Sequence, residues 1–287
     1  MSAVDFQSDT RASNAALAHA LAGVRADVEV SIACSARDRR TRLASLTERG
    51  GYRAKFPHQH GRMLEAVIVN SGGGVAGGDS VKLSASADVD ARLTVSTATA
   101  ERIYRSLGPA TTIDVRLTAA AGATLAWLPQ PTILFSGARL DRRFEVDLAA
   151  DARLILAETF VFGRIASGEI MGDGAVHDRW RLRRDGRLAF AETTRIDGNL
   201  ASLLDRATVA GAARAMALIV IAAPDAEDMR DPVREALSAC GADHGVSTRN
   251  GLLVIRALAS GLDAVHDVTR RAVEVAMDGS VPRAWAG

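Results

Sequence analysis

From Val28 to about Leu200 the chain alternates apolar and polar residues at every second position. Val81, Leu83 and Ala85 follow this pattern, as do Leu93, Val95 and Thr97, then Ile113, Val115 and Leu117, then Phe144, Val146 and Leu148. Side chains on a strand point alternately to its two faces, so this spacing predicts half-buried β-strands with one face on a core. Leu64–Val69 reads as a further strand.

A repetition runs through the same stretch. Asp90-Ala91-Arg92-Leu93, Gly122-Ala123-Thr124-Leu125 and Asp151-Ala152-Arg153-Leu154 each follow an alternating strand, and their alanines are 32 and 29 residues apart. Each unit reads as strand, short turn, strand, which predicts a hairpin used three times and stacked into layers. Asp185-Gly186 predicts one more hairpin turn, between Trp180–Leu182 and Leu188–Phe190.

The ends differ from this body. Ser13-Asn14 caps an expected alanine-rich helix closed by Gly23. After residue 210 the pattern gives a buried strand over Ala217–Ile221 and a helix from Pro224-Asp225 to about Ala239. A strand over Gly251–Arg256 and an amphipathic helix from Leu262 to about Met277 follow. The expected fold class is therefore α+β and predominantly β: stacked antiparallel hairpins forming a layered scaffold with a C-terminal β-α-β-α portion. The expected organisation is an extension over 1–24, partly helical or disordered, a scaffold over 25–210, and a C-terminal α/β portion over 211–287 packed on the same domain.

Composition narrows the function. A formal net charge of +1 with 24% charged residues gives no sign of nucleic-acid or anionic-membrane binding. The two cysteines, Cys34 and Cys240, lie far apart and lack a C-x-x-C partner, so neither a disulfide framework nor a structural zinc site is expected. There is no basic N-terminal segment leading into an apolar core, and no apolar run reaches the roughly 18 residues of a membrane span. These features predict a soluble, cytoplasmic protein.

The segment with the most chemistry to decide is Asn70–Asp79, with five glycines between residues 72 and 78. Gly72-x-Gly74-x-x-Gly77 formally matches a dinucleotide fingerprint, which needs a strand before it and a helix after it. Here Asp79–Ser84 alternates like a strand, and Asp79 places a carboxylate where phosphate wants a cation. A strand-to-strand turn is the expectation; the competing reading is a β-rich small-molecule enzyme using the Gly72–Asp79 segment as a ligand loop. His58-x-His60 offers two imidazoles without a nearby third ligand and reads as a polar loop. Glu158 follows the apolar run Leu154–Ala157 and is expected to point inward, where a carboxylate needs a cation or an arginine.

Several segments together resemble the urease accessory protein UreD family (UreH in some bacteria). They are Gly50-Gly51-Tyr52-Arg53, Phe56-Pro57, the Gly72–Asp79 turn, Thr97–Ser106, Trp127–Gln130, Thr132–Phe135, Gly163-Arg164 and Ser167-Gly168-Glu169, in the family order over roughly residues 28–220. The resemblance implies a non-enzymatic β-rich scaffold and nickel-delivery chaperone for the urease metallocentre. It implies docking on apo-urease, recruitment of UreF and, through UreF, of the GTPase UreG. It implies no tightly bound cofactor, only Ni²⁺ in transit through an interior passage. Asp79, Arg102, Tyr104, Arg105, Ser106, Gly163, Arg164 and Glu169 match the family pattern, and its polar members are expected to line the passage or shape partner contacts, together with Glu158. Which residues touch the metal is left open. Pro131 and Ser136 depart from the pattern, each standing where the family usually has a carboxylate.

Overall fold

The computed structural model describes residues 25–58, 61–169 and 171–285. The expected Ser13–Gly23 helix, and the 1–24 extension with it, lie outside the described residues. One sheet joins β1 (Asp27–Arg37), β2 (Arg40–Arg49), β5 (Ser80–Ala87), β8 (Thr111–Ala119), β11 (Arg139–Leu148), β13 (Asp173–Arg184) and β14 (Arg187–Asn199). Its order is β14-β13-β11-β8-β5-β1-β2. The second sheet holds β3 (Tyr52–Lys55), β4 (Leu64–Asn70), β6 (Arg92–Thr97), β9 (Thr124–Leu128), β12 (Arg153–Phe162), β15 (Ala215–Ala222), β16 (Asp243–Arg249) and β17 (Leu252–Ala259). It runs β16-β17-β15-β12-β9-β6-β4-β3, with the short strands β7 (Glu101–Ile103) and β10 (Thr132–Leu134) attached beside β12.

The chain is predominantly β, as expected, but the stacked antiparallel hairpins are not what forms. Through the body the chain passes back and forth between the two sheets, and its long strands pair in parallel with their counterparts one coil later: β5 with β8, β8 with β11, β4 with β6, β6 with β9, and β9 with β12. The body is a β-solenoid of four coils, β4–β5, β6–β8, β9–β11 and β12–β13. Alternation of period two marks a half-buried strand in either architecture, so it could not separate them. The repeated Asp/Gly-Ala turns are the narrow corners of successive coils. Ala91, Ala123 and Ala152 line the inside of that corner fully buried. Asp90 N donates to Ala121 O, and Gly122 N to Asp151 Oδ1, tying each corner to the next. Only at the ends do strands reverse: β2 against β1, β3 against β4, β14 against β13, and β15, β17 and β16 beyond β12.

The Asp185-Gly186 hairpin forms as expected, with both residues at positive φ. In the C-terminal portion the helix predicted from Pro224 begins later, as α2 (Arg230–Leu237), and α3 spans Leu262–Ala276. Strand β16 is an addition; its sequence, Asp-His-Gly-Val-Ser-Thr-Arg, is polar and it occupies the exposed edge. A short helix, α1 (Leu200–Asp205), is capped by the Asn199 side chain. Inward side chains of the two sheets form one core. A second core, centred on Ile219, Ile255, Val265 and Val268, lies between the outer face of the second sheet and α2 and α3. Strand β12 is buried on both faces, its even positions (Leu154, Leu156, Glu158, Phe160, Phe162) turned to the solenoid lumen.

Candidate functional site

Two polar arrangements stand out, one along the wide corner of the coils and one inside the lumen. The wide corner stacks four connections: the glycine turn between β4 and β5, then residues 98–110, 129–138 and 163–172. Val75 N donates to Arg102 O and Tyr104 N to Val75 O, each at 2.8 Å; Ser106 N donates to Gly137 O, and Gly163 N to Leu134 O. Side chains repeat the ladder. The Tyr104 hydroxyl donates to Gly73 O (3.0 Å), its ring meets Phe135 edge-on at 5.0 Å, and the Arg164 guanidinium lies 4.7 Å from the Phe135 ring centroid while pairing with Glu169. Glu169 is held below the usual carboxylate range by the hydrogen bonds from Arg164, which outweigh its burial.

The structure thus brings Asp79, Arg102, Tyr104, Arg105, Ser106, Arg164 and Glu169 to this corner, although their sequence positions span about ninety residues. The glycines are required by the stacking itself. A Cβ on Gly77 would lie 2.2 Å from Ser106 Oγ, and one on Gly74 2.4 Å from the Tyr104 ring. Asp79 turns inward on its own loop, where Oδ1 accepts from Ala26 N (2.9 Å) and Oδ2 from Ala76 N (2.7 Å). A strand, β5, follows the turn, so the geometry that would cradle a phosphate at a helix N-terminus is absent.

Glu158 lies apart from the corner, in the lumen, and it heads a continuous buried network. Trp127 Nε1 donates to Glu158 Oε1 (2.8 Å), and Arg142 Nη1 donates to Glu158 Oε2 (2.5 Å). Arg142 also forms a two-pronged contact with Asp178, both bonds 2.9 Å, and Trp180 Nε1 donates to Asp178 Oδ2 (2.9 Å). The guanidinium packs between Phe144 and Phe160, its carbon 5.1 and 4.3 Å from their ring centroids. Arg142 is 3% exposed and Glu158 5%. Burial raises the Glu158 pKa against the opposing pull of Arg142 and Trp127. For Arg142 burial opposes the charge, but Asp178 and Glu158 overcome it and hold the guanidinium protonated.

A cavity of about 60 Å³ adjoins this network, enough for a few water molecules. Arg142 and Glu158 line it, as do Tyr52, Asn70 and Glu101. The Tyr52 hydroxyl donates to Glu101 Oε2 (2.6 Å) and Asn70 Nδ2 to Glu101 Oε1 (2.9 Å). Burial raises the Glu101 pKa more than these bonds lower it. Sequence reasoning missed Arg142 and Asp178, yet the signal was present: each sits in the inward phase of its strand, between Leu140 and Phe144 and between Val176 and Trp180, and the two are direct partners across β11 and β13.

Among the described residues no group of three or more His, Cys, Asp and Glu side chains is placed to hold a metal ion, and no helix is long and apolar enough to cross a membrane. His60 lies outside the described residues, so the His58-x-His60 pair stays an expectation. The sequence model described as UreD urease accessory protein matches residues 25–286. The chain belongs to the UreD urease accessory protein family. It is 45% identical over 262 residues to a urease accessory protein UreD of Xanthobacter autotrophicus, covering 91% of this chain and 90% of the relative. It is 42% identical to one from Rhodopseudomonas palustris strain HaA2 (98% and 100% covered) and 46% identical to another from strain BisA53 (96% and 95%). Members of the UreD family are accessory chaperones of urease maturation, not enzymes, so the ligand-loop enzyme reading of the glycine turn is set aside. Family membership implies a part in the urease maturation complex.

Proposed function

We propose that this protein is the scaffold through which nickel reaches apo-urease in the cytoplasm. On this reading it docks on apo-urease and recruits UreF, and UreF brings UreG with the metal. Residues 25–210 serve as the scaffold, and 211–287 extend the same domain. The observation that carries the reading is a lumen that holds ionisable groups around a cavity, with Glu101 and Glu158 both in its lining. Buried carboxylates are costly unless they are paired or meet a cation. Ni²⁺ in transit needs oxygen ligands and water held weakly enough to release again, and carboxylates lining a space that admits water meet that need better than a closed Cys/His cage. The corner residues Asp79, Arg102, Tyr104, Arg105, Ser106, Arg164 and Glu169 are assigned to the shape of the scaffold and its partner contacts rather than to the metal path.

The test is nickel content per urease active site after maturation with the Glu101→Gln/Glu158→Gln double variant. The complex should assemble in normal amounts while nickel loading falls by roughly tenfold or more. Full loading with both carboxylates replaced would overturn the lumen route.

A further inference from the structure

Arg142 is the one cation shared by two buried carboxylates. Its guanidinium sits between two carboxylates, Glu158 at 2.5 Å and Asp178 at 2.9 Å, at the edge of the cavity, with Phe144 and Phe160 over its faces. Each carboxylate also accepts one indole N–H, Glu158 from Trp127 and Asp178 from Trp180. Remove the arginine, and two carboxylates face one gap beside a space that admits water. Hard oxygen donors of that kind hold divalent cations.

We propose that Arg142 is a built-in counter-cation that sets the specificity of the lumen: it keeps Glu158 and Asp178 from capturing a divalent metal, so that cargo passes without lodging. The inference rests on the lumen route proposed above. A fixed guanidinium cannot be displaced by the cargo, because it is covalently tethered and holds three charge-assisted hydrogen bonds in a fork geometry that an ammonium would not reproduce. The arrangement also limits attraction. With both carboxylates ionised the triad carries one negative charge rather than two. A divalent cation is therefore drawn toward the site but finds its strongest ligands already taken.

Titration of the full-length chain with NiCl₂, and with CoCl₂ for its visible d–d bands, tests this. Wild type should show no saturable lumen site. Arg142→Met, which keeps the stem and removes the charge, should gain one site per chain, with affinity at least roughly tenfold above wild type. Adding Glu158→Gln and Asp178→Asn to Arg142→Met should abolish the gain. Should Arg142→Met be too unstable to purify, its melting temperature in lysate with and without 1 mM NiCl₂ reads the same property, because a ligand bound only by the folded state raises that temperature. Arg142→Lys, with one compact charge, should bind metal more weakly than Arg142→Met. The proposal is overturned by a folded Arg142→Met that gains no metal site, by no metal-dependent rise in its melting temperature, or by a wild-type site whose loss follows Glu158→Gln. Failure here leaves urease nickel loading of the Glu101/Glu158 variant unchanged as a measurement, so the two readings fail separately.

Discussion

Tyr104 lies across Gly74 so closely that a Cβ at Gly74 would fall 2.4 Å from ring atom Cε2 and 2.8 Å from the Arg102 carbonyl oxygen. The glycine turn and the second coil are packed backbone to ring, without space for one methyl group. Gly74→Ala should therefore lower stability by more than about 2 kcal/mol, read as a shift in urea midpoint. Gly73 is the internal control. Its φ of +74° disfavours an L-residue but nothing lies within 4 Å of its Cβ position, so Gly73→Ala should cost only about 1–2 kcal/mol.

Asp79 spends both carboxylate oxygens on backbone amides, those of Ala26 and Ala76. Asp79→Ala strands both donors, one of them part-buried, and should reduce stability by about 1–3 kcal/mol. Asp79→Asn keeps one acceptor and should lose less. If urease activation by these variants tracks their stability, Asp79 acts through the turn; loss of activation at unchanged stability would assign it a direct contact.

Replacing Arg142 alone leaves Glu158 and Asp178 buried and unpaired, which should cost about 3–5 kcal/mol. Replacing all three by apolar residues of similar volume removes the need for the cation and should recover most of that loss, as denaturant midpoints would show. A triple variant as unstable as Arg142→Met would mean that packing around Phe144 and Phe160, rather than charge, sets the cost.

The sign of the Glu101 contribution follows from its burial. Its folded-state pKa lies above the ordinary carboxylate value of 4.5, so the native state favours the protonated form. That stability is fully present below the unfolded pKa and is lost as pH rises through the folded one. Glu101→Gln removes the titration. The variant should gain on wild type in melting temperature as pH is raised from 4 toward 8, and a constant difference across that range would contradict the assignment.

Cys34 is 2% exposed, and burial, reinforced by the Asp88 carboxylate, pushes its thiol pKa up to about 12. Thiolate is the reactive form. Cys34 should resist alkylation in the native protein and react at the rate of global unfolding, giving a label-based stability readout for every variant above; the partly exposed Cys240 should react first.

The strands themselves were legible because alternation reports burial of one face, and the inward phases of β5, β8 and β11 are as the sequence indicated. Their partners were not legible. Whether Leu93 follows Val81 in a hairpin or in the opposite sheet depends on how Ala91 and Ala123 stack from coil to coil, a contact across some thirty residues that no local window contains. Edge strands such as β16 escaped for the opposite reason, having no buried face to leave a pattern. At the site, the corner residues were found as motif fragments but their convergence was not, because it arises from coil-to-coil hydrogen bonds. Arg142 and Asp178 were hidden as two more charges in an arginine-rich chain until their phase on the strand was considered.

The strand reversals at both ends of the solenoid have a consequence for assembly. Parallel coils alone would end in exposed ledges identical in direction to the coils within, each a template for the next molecule, and such ledges seed fibres. Here β2 and β3 close one end and β14 and the β15-β17-β16 run close the other, and the outermost strands, β2, β3, β14 and β16, all run opposite to the coils. A second molecule arriving end-on meets strands of the wrong polarity to continue the spiral. The length of the coil stack is thereby set by the chain itself, and a protein built on an indefinitely repeatable plan stays a discrete particle that can take its place in a complex of defined composition.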